Sequence, residues 1–128
     1  MATTPNHEVL FGLALETGVH QVSEMLGHAR LADDAGLDVV SLSDHPYFAE
    51  RVDAYATLGF VLGATSHITG VVICTNLLSR PAPMLARTVT GLLTISGGRV
   101  VLGMGAGGML EEIVAPGAER LVGGRVGT

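Results

Sequence analysis

The chain has 128 residues, of which 48% are hydrophobic, and its formal net charge at pH 7 is -5. This length suits one domain with its own hydrophobic core. The seven Lys and Arg residues are scattered singly along the chain, so there is no basic stripe of the kind that recognition of a phosphate backbone requires. The composition therefore argues against nucleic acid as a partner.

The start of the chain predicts neither secretion nor a membrane anchor. Residues 1–8 lack the cationic region of a signal peptide, and the apolar run that follows extends only from Val9 to Leu15. No uninterrupted apolar segment approaches the roughly 20 residues that cross a bilayer. Cys74 is the single cysteine, and its apolar neighbours predict a buried, inert thiol in a reducing compartment. We expect a cytoplasmic protein with no membrane partner.

Four short apolar runs, spaced about 30 residues apart, predict four strands joined by helices. The runs are rich in Val, Leu and Ile and do not alternate with polar residues, which is typical of parallel strands buried on both faces. The segments between them carry apolar residues at helical spacing. The predicted order is βαβαβαβ, an α/β fold. The predicted strands are Val9–Leu15, Leu37–Leu42, Gly70–Thr75 and Arg99–Met104.

Glycine and proline mark the ends of the predicted helices. Gly36 follows the first helix at the position of a left-handed cap, and Gly97 and Gly98 follow the third in the same way. Pro83 lies at the start of the third helix, where its missing N–H costs nothing.

The C-terminal end of the chain has a different composition. Glycine and proline recur after residue 115 and argue against further regular structure there. We therefore expect one folded unit over residues 1–117 and a loose, glycine-rich tail over residues 118–128.

Polar and glycine residues collect where the predicted strands end. Asp44 and His45 follow the second strand, Thr75 and Asn76 end the third, and residues 103–108 end the fourth. The carboxyl ends of parallel strands share one edge, and ligands bind at that edge in barrels and in open α/β sheets. We predict the functional site there.

Asp44 and His45 carry the clearest chemistry of this edge. A histidine can donate or accept a proton near neutral pH, and a neighbouring carboxylate can tune it. In the structural alternative, Asp44 caps a turn before Pro46 and His45 is only exposed. Asn76 fits a hydrogen bond to a ligand ring and a turn equally well. The other histidines lack metal-ligand spacing, so we expect no metal site.

Gly103, Gly105 and Gly108 match the pattern Gly-x-Gly-x-x-Gly after a strand. Alone, this pattern is a weak indication of a Rossmann dinucleotide-binding fold. A Rossmann fingerprint usually opens its domain and precedes a strand that ends in an acidic residue, and neither feature is found here. A glycine-rich turn without a ligand is a further interpretation. The motifs of serine hydrolases and P-loop NTPases are missing from the sequence.

A resemblance to a known family rests on several segments taken together. The segments are Phe11–Leu15, Ala35–Pro46, Asn76–Arg87 and Leu93–Gly108. They resemble the bacterial-luciferase-like flavin-dependent oxidoreductases, over roughly residues 9–117. The Ser-Gly-Gly-Arg segment at 96–99 is the most specific part, and the sequence is nearer to the branch that uses coenzyme F420 than to the light-emitting luciferases.

The resemblance implies that the chain is the N-terminal half of a (β/α)8 barrel, with parallel strands β1–β4. Such a barrel holds F420, or alternatively FMN, and transfers hydride or activates oxygen for a small-molecule substrate. Asp44 and His45 then lie beside the cofactor ring, and His45 is expected to take part in proton transfer. Thr75 and Asn76 lie where many members carry a bulge or a cis peptide behind the ring. The remaining positions that border the cofactor cavity are Gly103, Gly105, Ala106 and Gly107.

Four parallel strands cannot close a barrel of eight, and their open edges invite pairing with another chain. We therefore expect self-association. Two further functions stay open from the sequence. One is a non-catalytic half-barrel that oligomerises or binds a ligand, and the other is a Rossmann-type NAD(P)-binding protein.

Overall fold

A computed structural model describes residues 8–105, where parallel strands alternate with helices as the sequence predicts. The strands are β1 (Gly12–Ala14), β2 (Val39–Leu42), β3 (Thr69–Thr75) and β4 (Val100–Met104). The helices are α1 (Val22–Asp34), α2 (Ala54–Ala64) and α3 (Ala82–Ile95). The tail predicted over residues 118–128 lies outside the described residues. None of the described helices is long and apolar enough to cross a membrane.

The strands follow one another across the sheet in the order β1-β2-β3-β4, and every neighbouring pair is parallel. Right-handed crossovers between successive strands place all the connecting helices on the same side of such a sheet. This winding is that of a (β/α)8 barrel. A Rossmann sheet instead places its fourth strand beside the first. The predicted half-barrel fold is confirmed, and the Rossmann alternative is wrong.

The hydrophobic core lies between the sheet and the helices. Val40, Leu42 and Val72 are almost fully buried in one cluster with residues of all three helices. Alternate strand residues point to the opposite side of the sheet, which we call the open face. On it, Ile73 is 52% exposed and Val101 is 55% exposed. The expectation of strands buried on both faces holds for Val71, which is 7% exposed on this face, but is wrong for Ile73 and Val101.

Helix α2 packs closely on β3. Leu58 and Val61 are fully buried, and a Cβ atom at Gly70 of β3 would collide with the side chain of Leu58. Glycine at this position lets the helix approach the strand more closely than any side chain would allow.

The predicted ends of the helices are confirmed. Gly36 has a φ angle of 78°, and Gly97 and Gly98 have φ angles of 69° and 93°, a backbone conformation in which glycine is not strained. The third helix begins after Pro81, and Pro83 lies in its first turn.

Arg99 explains why an arginine follows the two glycines. Its guanidinium donates to the carbonyl oxygens of Leu62 at 2.8 Å and Ile68 at 3.2 Å, and to the hydroxyl of Thr65 at 3.2 Å. The carbonyl groups at the end of a helix carry partial negative charge and lack partners within the helix. Arg99 therefore holds the end of α2 and the start of β3 together at the amino edge of the sheet.

A candidate site at the carboxyl edge of the sheet

The structure brings the described candidate residues to one edge of the sheet. Asp44 follows β2, Thr75 ends β3 and is followed by Asn76, and Gly103 lies in β4 with Gly105 just beyond it. Because the strands are parallel, all these positions are at the carboxyl edge. Ala106 and Gly107 lie outside the described residues.

Asp44 connects the ends of β2 and β3. Its side chain is only 2% exposed. Oδ2 accepts hydrogen bonds from the backbone N–H of Asn76 and from Nε of Arg80, both at 2.8 Å. Oδ1 accepts a third from Nη2 of Arg80 at 2.8 Å. Both carboxylate oxygens are therefore used to hold the loop that follows β3.

Arg80 is the centre of this network, although the sequence did not single it out. Its Nη2 also donates to Oδ2 of Asp53 at 2.7 Å, and its guanidinium carbon lies 4.7 Å from the centre of the Tyr55 ring, within cation–π range. The hydrogen bonds that Arg80 donates to Asp44 and, to a smaller extent, to Asp53 raise its pKa against the effect of burial. Arg80 is a permanent cation that joins two loops and α2.

Asp53 has a second role at the start of α2. Its Oδ1 accepts from the backbone N–H of Ala56 at 2.8 Å and caps the helix. Burial alone would raise the pKa of Asp53, but the N–H of Ala56 and the guanidinium of Arg80 outweigh it, so the pKa lies below its ordinary value. The carboxylate stays ionised at neutral pH.

Thr75 is buried, and its hydroxyl faces the helices. Thr75 Oγ1 lies 2.6 Å from the phenol oxygen of Tyr55. Burial raises the pKa of Tyr55 above its ordinary value, with a further contribution from the negative charge of Asp44. The phenol is therefore protonated across the neutral range, and the side chain of Thr75 is committed to this contact. Only its backbone is left to face a ligand.

Asn76 forms the turn that leads to Arg80. Its Oδ1 accepts from the backbone N–H of Ser79 at 3.2 Å and from the Ser79 hydroxyl at 2.9 Å. Of the two interpretations left open by the sequence, these contacts are those of the turn.

His45 has a different partner from the one that the sequence suggested. Its Nδ1 lies 2.7 Å from the phenol oxygen of Tyr47, whereas the hydrogen bonds of Asp44 go to Arg80 and Asn76. Adjacent residues in extended backbone point in opposite directions, so His45 and Asp44 face different surroundings. Tyr47 could have been suspected from the sequence, because it lies two residues beyond His45 across Pro46.

The end of β3 is irregular where the resemblance implied a bulge or a cis peptide. Val72 is opposite Leu102 and Thr75 is opposite Met104, so β3 contains one residue more than β4 between these pairs. The peptide bond between Ile73 and Cys74 is cis. Cys74 is exposed, so the expectation of a buried thiol is wrong.

Small residues line the open face near this edge. Ala14 of β1 is opposite Ser41 of β2, and both alternate with core residues, so they face away from the helices. Gly103 contributes no side chain, and a Cβ atom there would collide with the carbonyl oxygen of Val72. Within residues 8–105, His, Cys, Asp and Glu side chains form no group able to hold a metal ion.

Comparison with known proteins identifies a reductase and a dehydrogenase as relatives. A 5,10-methylenetetrahydromethanopterin reductase of Methanolobus tindarius is 38% identical over 89 residues, which are 67% of this chain and 26% of that protein. An F420-dependent glucose-6-phosphate dehydrogenase of Amycolatopsis mediterranei (strain U-32) is 32% identical over 103 residues, 75% of this chain and 31% of that protein. The chain thus spans about a quarter to a third of these relatives.

Comparison of the fold with solved structures also finds a related enzyme. The coenzyme F420 dependent tetrahydromethanopterin reductase from Methanopyrus kandleri superposes with a TM-score of 0.72 at 25% sequence identity, over 86% of this chain and 30% of that one. The profile of the family described as luciferase-like monooxygenase matches residues 8–121. The resemblance stated from the sequence is confirmed, and the chain belongs to the luciferase-like monooxygenase family.

Proposed function

We propose that this chain forms the N-terminal half of an oxidoreductase site that binds coenzyme F420, or alternatively FMN, at the carboxyl edge of the sheet. The site acts on a small-molecule substrate by hydride transfer or oxygen activation. The observation that carries the proposal is that the half-buried His45 lies at this edge, where the ion pair of Asp44 and Arg80 holds the loop after β3 in place. The F420-dependent relatives named above favour F420 over FMN.

The described residues fit a flat cofactor ring. The open face near the edge is made of the small residues Ala14, Ser41 and Gly103, with the exposed side chains of Ile73 and Cys74 beside them. Binding sites for such ligands are concave and mostly apolar, with few polar groups that fix orientation. The exposed thiol of Cys74 agrees with a reducing compartment, and we propose a cytoplasmic location on that basis.

Each residue has a distinct part in the proposed site. When bound, the cofactor supplies the hydride or oxygen chemistry, and the protein binds and orients it. His45 donates or accepts a proton at a ring nitrogen. Asp44 is a positioning residue, because both of its oxygens hold Arg80 and the N–H of Asn76. The ends of β3 and β4 border the ring. The residues are Thr75 and Asn76, through their backbone, and Gly103, Gly105, Ala106 and Gly107.

Titration of the chain with F420 and, separately, with FMN tests this proposal, with the fluorescence of the cofactor as the signal. We expect saturable binding of F420, weakened about tenfold or more in Asp44→Ala, since that change releases the loop after β3. His67→Ala is the matched control, because His67 lies at the amino edge and its side chain is 88% exposed. Failure of both cofactors to bind would overturn the proposal and favour a half-barrel without catalytic function.

We also propose that the edges of the sheet associate with a second copy of the chain. Within residues 8–105, β1 and β4 each pair with a single strand. Exposed apolar side chains lie at both edges, with Phe11 66% exposed before β1 and Met104 61% exposed in β4. Since all strands are parallel, β4 of one copy can extend the sheet beside β1 of another. Sedimentation velocity over a range of concentrations would contradict this proposal by showing a monomer throughout.

A further inference from the structure

We infer that Arg51 binds an oxyanion of the ligand, a phosphate or a carboxylate, at the carboxyl edge of the sheet. The inference deepens the proposed function and rests on it, because it names a chemical group that the same site would recognise. Its starting point is the hydrogen bonding of the Arg51 guanidinium. Nη1 donates to the hydroxyl of Thr17 at 3.1 Å. Within the described part of the chain, neither Nε nor Nη2 of Arg51 has a hydrogen-bond partner.

The two unused donors are the same pair that holds a carboxylate elsewhere at this edge. Arg80 uses its Nε and Nη2 to bind both oxygens of Asp44 at 2.8 Å. These N–H groups are parallel and lie in one plane, so they match two oxygens of a carboxylate or a phosphate. In Arg51 the pair is free, and the side chain is 33% exposed. Arg51 can therefore bind an oxyanion in the geometry by which Arg80 binds Asp44.

The backbone fixes Arg51 between the loops that follow β1 and β2. Arg51 forms an isolated antiparallel bridge with Gly18, and the Thr17 that accepts from its guanidinium is only 1% exposed. Two hydrogen-bonded turns connect Arg51 to His45. The N–H of Phe48 donates to the carbonyl oxygen of His45 at 3.2 Å, and the N–H of Arg51 donates to that of Phe48 at 3.0 Å. Arg51 is thus held at the edge to which proton transfer is assigned.

Arg51 is also the permanent cation that a ligand at this edge can reach within residues 8–105. The chain contains no lysine. Arg80 is neutralised by two carboxylates, Arg99 lies at the amino edge, and the exposed Arg30 and Arg87 lie within α1 and α3. FMN and F420 each carry a phosphate group, and a substrate can carry a phosphate or a carboxylate. Either source supplies the oxyanion that Arg51 is free to bind.

Glu16 gives the inference a sign that can be tested. Its Oε2 lies 3.8 Å from Nη1 of Arg51, which is an ion pair too long for a hydrogen bond. The side chain of Glu16 is 69% exposed, and its negative charge repels an anion that approaches Arg51. Removal of the charge of Glu16 should therefore strengthen oxyanion binding, whereas removal of the charge of Arg51 should weaken it.

Titration with inorganic phosphate tests the inference, at an ionic strength kept constant with sodium chloride. Nitrogen-15 correlation spectra of the arginine Nε–H groups provide the signal. The Nε–H signal of Arg51, assigned by through-bond correlation to its own backbone, should shift and saturate. Glu16→Gln should bind phosphate several-fold more tightly. Arg87→Gln, which removes an exposed positive charge from α3, is the matched control and should leave the affinity unchanged.

Titration with FMN and with riboflavin, which lacks the phosphate, distinguishes the two sources of the oxyanion. If the cofactor supplies it, Arg51→Gln should weaken FMN binding about tenfold or more and leave riboflavin binding unchanged. Unchanged binding of both assigns the oxyanion to the substrate. An equal loss of both would overturn the inference, because it would show that Arg51 only holds the two loops together.

Two results of the phosphate titration would also overturn the inference: an Arg51 signal that does not respond, or weaker binding in Glu16→Gln. The first needs no variant, so the test survives a variant that does not fold. This titration also needs no cofactor. Phosphate binding at Arg51 without binding of F420 or FMN upholds the inference and rejects the proposed function, whereas cofactor binding without a response to phosphate does the reverse.

Discussion

Arg80 and Asp44 form a two-point ion pair, with Nε to Oδ2 and Nη2 to Oδ1 both at 2.8 Å. The pair joins the loop after β3 to the end of β2 and is largely shielded, since the side chains are 19% and 2% exposed. Two parallel N–H donors in one plane are a property of guanidinium that the ammonium of lysine does not share. The carboxyl edge therefore depends on arginine in particular.

Replacement of Arg80 should lower the free energy of unfolding, and more so when its charge is lost along with its hydrogen bonds. We expect Arg80→Lys to lower the free energy of unfolding by about 1 to 2 kcal/mol, because lysine cannot form the second of the two hydrogen bonds to Asp44. Arg80→Met should cost about 3 kcal/mol or more, since it leaves the buried charge of Asp44 unpaired. Urea unfolding followed by circular dichroism measures both. Arg87→Lys, at an exposed position of α3, is the control, and equal effects of the two lysine variants would contradict the prediction.

Arg99 should be required for stability rather than for cofactor binding. Arg99→Met removes the donors that satisfy the carbonyl oxygens of Leu62 and Ile68, and we expect a loss of about 2 kcal/mol in the free energy of unfolding. Arg87→Met removes an exposed arginine from α3 and serves as the comparison, with an expected change within about 0.5 kcal/mol. Thermal unfolding would refute the prediction if the two variants melted together.

Asp33 should make stability depend on pH in the acid range. Its side chain is 7% exposed, and its oxygens accept from the N–H groups of Ser66, His67 and Ile68 at 2.6, 2.9 and 2.7 Å. Burial raises the pKa of Asp33, but these three hydrogen bonds outweigh it and hold the pKa below the ordinary 3.8. A carboxyl group whose pKa is lowered by folding stabilises the fold at pH values above its ordinary pKa. This stability is lost as the pH falls through the folded-state pKa.

Asp33→Asn should therefore cost about 1 to 2 kcal/mol at pH 7. The difference from the unmutated protein should shrink below about pH 4 as its own carboxylate takes up a proton. Urea unfolding at several pH values from neutral to acid measures the difference. Asp34→Asn changes the same charge at the next, exposed position and should show little effect. A difference that grew at low pH would be the wrong sign.

Two glycines offer a matched pair of alanine substitutions. Gly103→Ala should destabilise the fold by about 1 to 3 kcal/mol, because its Cβ would meet the backbone carbonyl of Val72, which cannot rotate away. Gly91→Ala, inside α3 with no atom within 4 Å of the added Cβ, should stabilise it by about 0.5 to 1 kcal/mol. Melting temperatures that shift in the same direction would contradict the prediction.

The order of strands and helices, the helix ends at Gly36, Gly97 and Gly98, and the edge at which polar residues gather could all be predicted from the amino-acid sequence. These features are local, because apolar periodicity and the backbone freedom of glycine act within a few residues. The family resemblance depended on the same local segments.

The contacts between side chains that are distant in sequence could not be predicted and follow from the folded structure. Asp44 and Arg80 are 36 residues apart in sequence and become partners because β2 and β3 pair side by side. The winding of the helices onto one side left the open face uncovered, and the irregular end of β3 exposed Cys74, which an apolar run predicted to be buried. The partner of His45 depended on how the turn at Pro46 folds, since an extended backbone directs Asp44 and His45 to opposite sides.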